Sequence, residues 1–271
     1  MPEAPTVVIT RPLAQAAPLA ARVAALGRPV VVLPLLEIAA LDDSLPLQAA
    51  LADLASYAMV AFVSPSAVDA AFAHIRLWPP GVALAVLGEG SRAALAAHGV
   101  TPAGATIISP QDGASSDSEH LLKSLDLDAL RGRRVLIVRG DHGRELMADG
   151  LRAAGAEVTV VAAYRRSTPR LTQALGVTLR ALLAQRNDWV VTSSEALRGL
   201  LQLLQQLDVA DRAAVAGGTA TACGAPAVVK MLQQHLIVPH ARIAQTASTL
   251  GFTCITLTGS GDARLLAALQ S

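Results

Sequence analysis

The chain has 271 residues, enough for two domains of ordinary size with a core in each. A formal net charge of +1 argues against binding nucleic acid by phosphate neutralisation, and although 52% of the residues are hydrophobic, no uninterrupted apolar run reaches the roughly 18 residues of a membrane span. The opening "MPEAPTVVIT" lacks a basic and apolar leader, so a cytoplasmic location is expected, and the distant Cys223 and Cys254 are expected as buried thiols without metal-ligand spacing.

Val- and Ile-rich runs alternate with Ala/Leu-rich stretches of helical period. Strand 6–10 leads into helix 14–26, and strand 30–36 opens an extended stretch reaching 41. Strands 59–64 and 83–87 lead into helices 66–76 and 90–98, and strand 105–109 follows. Strand 135–139 precedes helix 143–154, and strand 158–164 opens a second long extended stretch, to 169, before helix 171–185. Strand 189–193 with helix 194–206, strand 235–239 with helix 241–250, and strand 254–258 with helix 261–269 complete the series. Residues 212–234 read as a loop plus one amphipathic helix. Continuous apolar strands separated by helices are what a parallel sheet covered on both faces requires. The class is α/β, with ten strands shared between two five-stranded sheets.

The chain also repeats itself. "TVVIT" runs into Arg11, with Gly27 sixteen residues on, and "VLIV" runs into Arg139, with Gly155 sixteen residues on. "FVSPSAV" (62–68) parallels "VTSSEAL" (191–197), and "LAVLGEGSRAALAAHGV" (84–100) parallels "LIVPHARIAQTASTLGF" (236–252). The order is therefore A, B, A, B, which two domains can share in two ways. A tandem pairing divides the chain near residue 130; an interchange inserts the first B and second A into the first A and second B. The long stretches 30–41 and 158–169 exceed an ordinary strand and favour interchange. The domains would then be 1–29 with 170–271, and 42–157, joined by 30–41 and 158–169 as paired linker strands.

Open parallel sheets bind ligands outside the carboxyl ends of their strands, where helix N-termini present unpaired N–H groups. The residues at those ends include Arg11, Ser64, Ser66, Ser91, Arg139, Gly140, Thr192, Ser193, Ser194, His240 and Arg242. Hydroxyls, glycine amides and arginines suit anionic groups, although Ser and Thr at these positions also serve as plain helix caps. Of the 22 basic residues only Lys123 and Lys230 are lysine. That excess reads as base composition or as bidentate carboxylate recognition. "GEGS" is neither a dinucleotide fingerprint nor a P-loop, the serines lack the glycines of a nucleophile elbow, and the histidines form no H-x-x-x-H pair. Tyr164 ends an apolar run on the second long strand, where it reads either as a cleft residue or as an amphipathic interface residue.

Taken together, "TRP" (10–12), "FVSPSAV", "LGEGSRAAL" (87–95), "VRGDHGRELMADGLRAAGAEV" (138–158), "AYR" (163–165), "TSSEAL" (192–197) and "VPHARIAQTASTLGF" (238–252) resemble the uroporphyrinogen-III synthase family over essentially the whole chain. The segment 212–234 is longer than that pattern expects. The resemblance implies two flavodoxin-like α/β domains, one inserted in the other and joined by a two-stranded linker, which selects the interchange. It implies a cofactor-free, monomeric lyase of haem, sirohaem and cobalamin biosynthesis. Such an enzyme cyclises the octacarboxylate hydroxymethylbilane with loss of water and inversion of ring D. Tyr164 becomes the expected proton donor, and the strand-end residues above become the expected carboxylate ligands in the cleft between domains. Neither nucleic acid nor membrane is an expected partner; a transient contact with the preceding pathway enzyme is. The rival expectation is a two-domain binding protein that closes on a small anion without chemistry.

Overall fold

β-Branched runs form the strands and Ala/Leu-rich runs of helical period form the helices between them. A computed structural model describes residues 4–110, 118–217 and 224–270. In chain order the elements are β1 (Val7–Ile9), α1 (Leu13–Ala25), β2 (Val30–Val32), β3 (Glu37–Ala39), α2 (Leu45–Ala52), β4 (Met59–Phe62), α3 (Pro65–Phe72), β5 (Ala83–Val86), α4 (Glu89–Ala97) and β6 (Ile107–Ile108). They continue with α5 (Ser118–Lys123), β7 (Arg134–Gly140), α6 (Leu146–Ala153), β8 (Glu157–Ser167), α7 (Gln173–Leu182), β9 (Asp188–Val190), α8 (Ser194–Ala216), α9 (Ala227–Leu232), β10 (His235–Val238), α10 (Ala241–Thr249), β11 (Cys254–Leu257) and α11 (Asp262–Ala268).

The chain divides into one unit of Met1–Glu37 with Ser167–Ser271 and a second of Ile38–Arg166. The first holds a parallel sheet in the order β2-β1-β9-β10-β11. Counted along the unit's own chain this is 2-1-3-4-5, the doubly wound order whose ligand crevice lies between strands 1 and 3. The second unit holds β3-β8-β7-β4-β5-β6, with β8 to β6 paired in parallel. Counted from β7, those five strands repeat the order 2-1-3-4-5. Thus β1 pairs with β9, and β4 with β7: the first A of the repeat shares a sheet with the second B, and the first B with the second A.

Both sheets are buried on both faces, which is why their strands read as continuous apolar runs. Successive residues of one strand enter different cores. Val8 and Trp189 pack under α7, α8 and α10, whereas Val7, Ile9 and Val190 pack under α1 and α11. In the second unit Val60, Phe62, Leu136 and Val138 face α3 and α4, whereas Met59, Ala61, Val135 and Ile137 face α5 and α6. Each fully buried large side chain contributes about 1.5–3 kcal/mol. The amino ends of the first sheet are tied by polar contacts. Asp188 accepts from Arg28 Nη2 at 2.6 Å and lies 2.7 Å from His235 Nδ1. Among the described residues no helix is long and apolar enough to cross a membrane.

Four expectations are corrected. The stretch 30–41 is not one strand: β2 joins the first sheet and β3 the second, which therefore has six strands rather than five. Pro34 interrupts it because proline has no N–H to donate, while Leu33, Leu35 and Leu36 turn inward as core residues of the first unit. Helix α8 runs ten residues past the expected end at 206, to Ala216, keeping Leu207 in the core. Within 212–234 the chain forms the end of α8 and the short α9, whose first amides, those of Ala227 and Val228, donate to the Asp208 carboxylate; residues 218–223, Cys223 among them, lie outside the described residues. Cys254 is exposed rather than buried, because it opens β11, the edge strand of its sheet.

Candidate active site

In the second unit the two central strands, β7 and β4, end at Gly140 and Phe62, and Tyr164 lies on β8 beside them. The pairing of β7 with β8 proceeds one residue to one until Arg139 meets Ala162; then Gly140 meets Tyr164, with Ala163 left over. This β-bulge sets the direction of the tyrosine. By strand alternation, residue 164 should face away from Val161 and Ala163, yet all three enter the same core under α3 and α4. A bulge re-aims a side chain in this way, and bulges concentrate beside active sites.

Tyr164 is only 5% exposed. It packs against Gly140, where a Cβ would stand 3.1 Å from both Cε2 and Cζ. Its backbone carbonyl accepts from Asp141 N–H at 2.9 Å, and Asp141 Oδ1 accepts the N–H of Arg166 at 3.2 Å, which closes the bulge. Its hydroxyl lies 3.0 Å from Ser64 Oγ. Ser64 is in turn the N-cap of α3, accepting from Ala67 N–H at 3.1 Å. The proton donor expected from the sequence therefore meets one of the expected hydroxyls, 100 residues away in the chain.

Helices α3 and α4 begin side by side: a Cβ on Gly90 would stand 3.3 Å from Pro65 Cγ. Ser66 is half-buried in the first turn of α3. Ser91 is 4% exposed; beside it the half-buried Arg92 donates through Nε to Ser109 Oγ at 3.0 Å, and Glu89 is exposed in the same turn. Arg139 is held by Glu145 Oε1 at 2.6 Å and by the Arg144 carbonyl at 3.1 Å.

The first unit repeats the pattern. Thr10 and Arg11 follow β1; the threonine hydroxyl donates to Val190 O at 2.9 Å, and Arg11 Nη1 pairs with Asp262 Oδ1 at 2.6 Å. Ser193 caps α8 by accepting from Ala196 N–H at 3.3 Å. Beside it Thr192 is half-buried, and Ser194 Oγ lies 3.1 Å from Thr246 Oγ1 on α10. His240 precedes α10, with Nδ1 3.5 Å from Ser260 Oγ, and Arg242 is exposed on the first turn of that helix. Every strand-end residue expected from the sequence sits at the carboxyl end of its own sheet, Arg11, Thr192, Ser193, Ser194, His240 and Arg242 in the first unit and the others in the second.

Arg92, Asp141 and Asp262 are polar strand-end residues beyond those expected from the sequence. The first two stood inside the quoted stretches "LGEGSR" and "VRGD", one residue beyond Ser91 and Gly140, so strand-end position was signal enough for them. Asp262 gave no signal, since its partner Arg11 is 251 residues distant. Two perturbed charges, Asp53 and Arg134, lie at the opposite end of the second sheet, and a third, Arg180, lies on α7 of the first unit beside Asp211. A hydrogen bond from Arg134 holds the exposed Asp53 carboxyl below the ordinary range, and the Arg134 guanidinium lies 4.5 Å over the Tyr57 ring. Tyr57 stands at the end of the second sheet opposite Tyr164, since it precedes β4 rather than following it.

Two five-to-six-stranded doubly wound units ending in Ser, Thr, Gly and Arg are matched by known proteins. Residues 17–252 match the family model described as Uroporphyrinogen-III synthase HemD. The uroporphyrinogen-III synthase of Salmonella typhimurium is 33% identical, covering 98% of this chain and 100% of that protein. The Escherichia coli synthase is 31% identical over the same shares. Among solved structures, the uroporphyrinogen-III synthetase of Helicobacter pylori aligns with a TM-score of 0.58 at 15% identity, covering 98% of this chain and 99% of that one. A mutant synthase from the extreme thermophile Thermus thermophilus gives 0.56 at 13%, covering 98% of each chain; at such identities these two likenesses speak to the fold. The family model and the near-full-length relatives carry the assignment: this chain belongs to the uroporphyrinogen-III synthase family.

Proposed function

We propose that the chain takes hydroxymethylbilane to uroporphyrinogen III, with Tyr164 as the proton donor that starts the reaction. Loss of the terminal hydroxyl as water leaves an azafulvene in its N-protonated, cationic form. Ring D is attacked at its substituted carbon to give a spiro intermediate, which fragments and recloses with that ring reversed. The chain's tasks are to help the hydroxyl leave, to hold a flexible substrate folded, and to stabilise cationic pyrroles.

One observation carries the choice of Tyr164: a nearly buried phenol at the carboxyl end of a central parallel sheet, re-aimed by a bulge and fixed at its hydroxyl. A donor largely withdrawn from water interacts more strongly with a leaving oxygen than an exposed one does. The substrate is an octacarboxylate, and each unit offers donors of its own at its strand ends. Arg139, Gly140, Ser66 and Arg92 serve in the second unit; Arg11, Thr192, Ser193, Ser194, His240 and Arg242 serve in the first. Arg11 and Arg139 are each held by an acid. A guanidinium carries five N–H donors, so such a hold orients it and leaves capacity for a substrate carboxylate.

The test is porphyrin chromatography after hydroxymethylbilane is added. Spontaneous closure gives the symmetric type I isomer. Type III product supports the reading, whereas type I alone, with tight binding, makes the chain a binder of polyanions.

A further inference from the structure

Ser64 stands between the N-terminus of α3 and the candidate acid, and what it does there rests on Tyr164 being that acid. A serine hydroxyl has one proton and two lone pairs. One lone pair is engaged by Ala67 N–H. The 3.0 Å contact with Tyr164 Oη can then run either way. If the tyrosine donates, its proton points at Ser64 and is withheld from the substrate. If Ser64 donates, the tyrosine proton is available for transfer, and the phenolate left behind keeps its hydrogen bond. Only the second arrangement survives the reaction without rotating a donor, because a phenolate has nothing to give. A preorganised donor that needs no reorganisation is what lowers such a barrier. The engaged N–H at the helix N-terminus polarises the serine hydroxyl in the same sense.

We propose that Ser64 is a positioning residue: its hydroxyl, anchored on α3, donates to Tyr164 Oη and so directs the tyrosine proton to the departing hydroxyl of the substrate. In that step the proton passes from Oη to the leaving oxygen, and the C–O electron pair departs with water. The pyrrole nitrogen lone pair fills the vacancy, giving an azafulvenium cation opposite a phenolate held by Ser64. The phenolate takes a proton back when the last pyrrole loses its ring C–H proton on re-aromatising.

The chain has two tyrosines, so Tyr57→Phe leaves Tyr164 as the only source of the tyrosine ring doublet in the Raman spectrum. The intensity ratio of that doublet is high for a phenol that accepts a hydrogen bond and low for one that donates. The accepting ratio is expected in Tyr57→Phe, kept when Ser64→Thr is added, and lost with Ser64→Ala. A donating ratio in Tyr57→Phe itself overturns the proposal, and that measurement does not depend on any Ser64 variant folding. In turnover, Ser64→Ala should lower kcat roughly 10- to 100-fold with KM little changed, and Ser64→Thr should restore most of it. In a Tyr164→Phe background, Ser64→Ala should cost nothing more, because its route is gone. An additive loss there, or a raised KM at unchanged kcat, overturns the role and makes Ser64 a binding residue. Undiminished turnover by Tyr164→Phe removes the acid itself, and the proposal with it, whatever the Raman ratio.

Discussion

Gly140→Ala separates the position of the tyrosine from the stability of the fold. Gly140 ends β7 and is not among the glycines of positive φ, so alanine brings no backbone strain. By restricting the unfolded chain it should add about 0.4–1 kcal/mol of stability. The new methyl meets Tyr164 most closely, 3.1 Å from Cε2 and Cζ, and also stands 3.3 Å from Nε of Arg166, a long side chain that can give way. Carbon pairs settle at about 3.5–4.0 Å, so the ring must recede by roughly 0.5 Å. The 3.0 Å contact between Ser64 and Tyr164 then stretches toward about 3.5 Å, beyond a good hydrogen bond. A misplacement of about 1 Å costs about 10²-fold in rate, and half of it about tenfold. The crowding offsets the gain in chain entropy, leaving net stability within about 1 kcal/mol of the parent. Initial rates with hydroxymethylbilane, isomer analysis of the oxidised porphyrins, and urea unfolding read the three quantities. Expected are a kcat about tenfold lower, type III product, and an unfolding midpoint near that of the parent. Unchanged kcat refutes the argument that the ring must rest on Gly140, and a fall in kcat together with a collapse in stability assigns the loss to folding.

Tyr164→Phe removes only the donor; general acids are typically worth 10²–10⁴-fold, and this substrate ionises readily, so a loss near the bottom of that range is expected with type III still formed. A switch to type I would assign Tyr164 to folding the substrate, and Tyr57→Phe, at the far end of the sheet, should leave turnover as it was. Arg11→Ala and Arg139→Ala should each weaken substrate binding by roughly 10- to 100-fold, as loss of a charge-assisted contact implies; parent-like affinity in the double variant, read by calorimetry, rules both out as carboxylate ligands. Leu136→Ala, at a fully buried position of β7, should cost about 2–5 kcal/mol, and a urea midpoint unmoved by it would contradict the packing of β7 between two helical layers.

The class of fold could be read from the chain because it depends on local pattern. Runs such as "VVIT" and "VLIV" are apolar at nearly every position, and only a strand covered on both faces uses such a run. The strand-end residues could be read for the same reason: Ser64 and Ser193 sit where a strand stops and a helix starts, and both prove to be caps. Strand partners are another matter. Periodicity says which face a residue occupies, not which strand lies beside it. Hence Cys254 was legible as part of a strand but not as part of an edge, and one stretch from 30 to 41 was not legible as two strands in two sheets. The bulge at Ala163 lay further still from the sequence. It arises from the register of β7 against β8, and it alone brings Tyr164 to the face where Ser64 waits, in a contact that chain-local chemistry cannot encode because its two halves meet only when β8, β7 and β4 have paired.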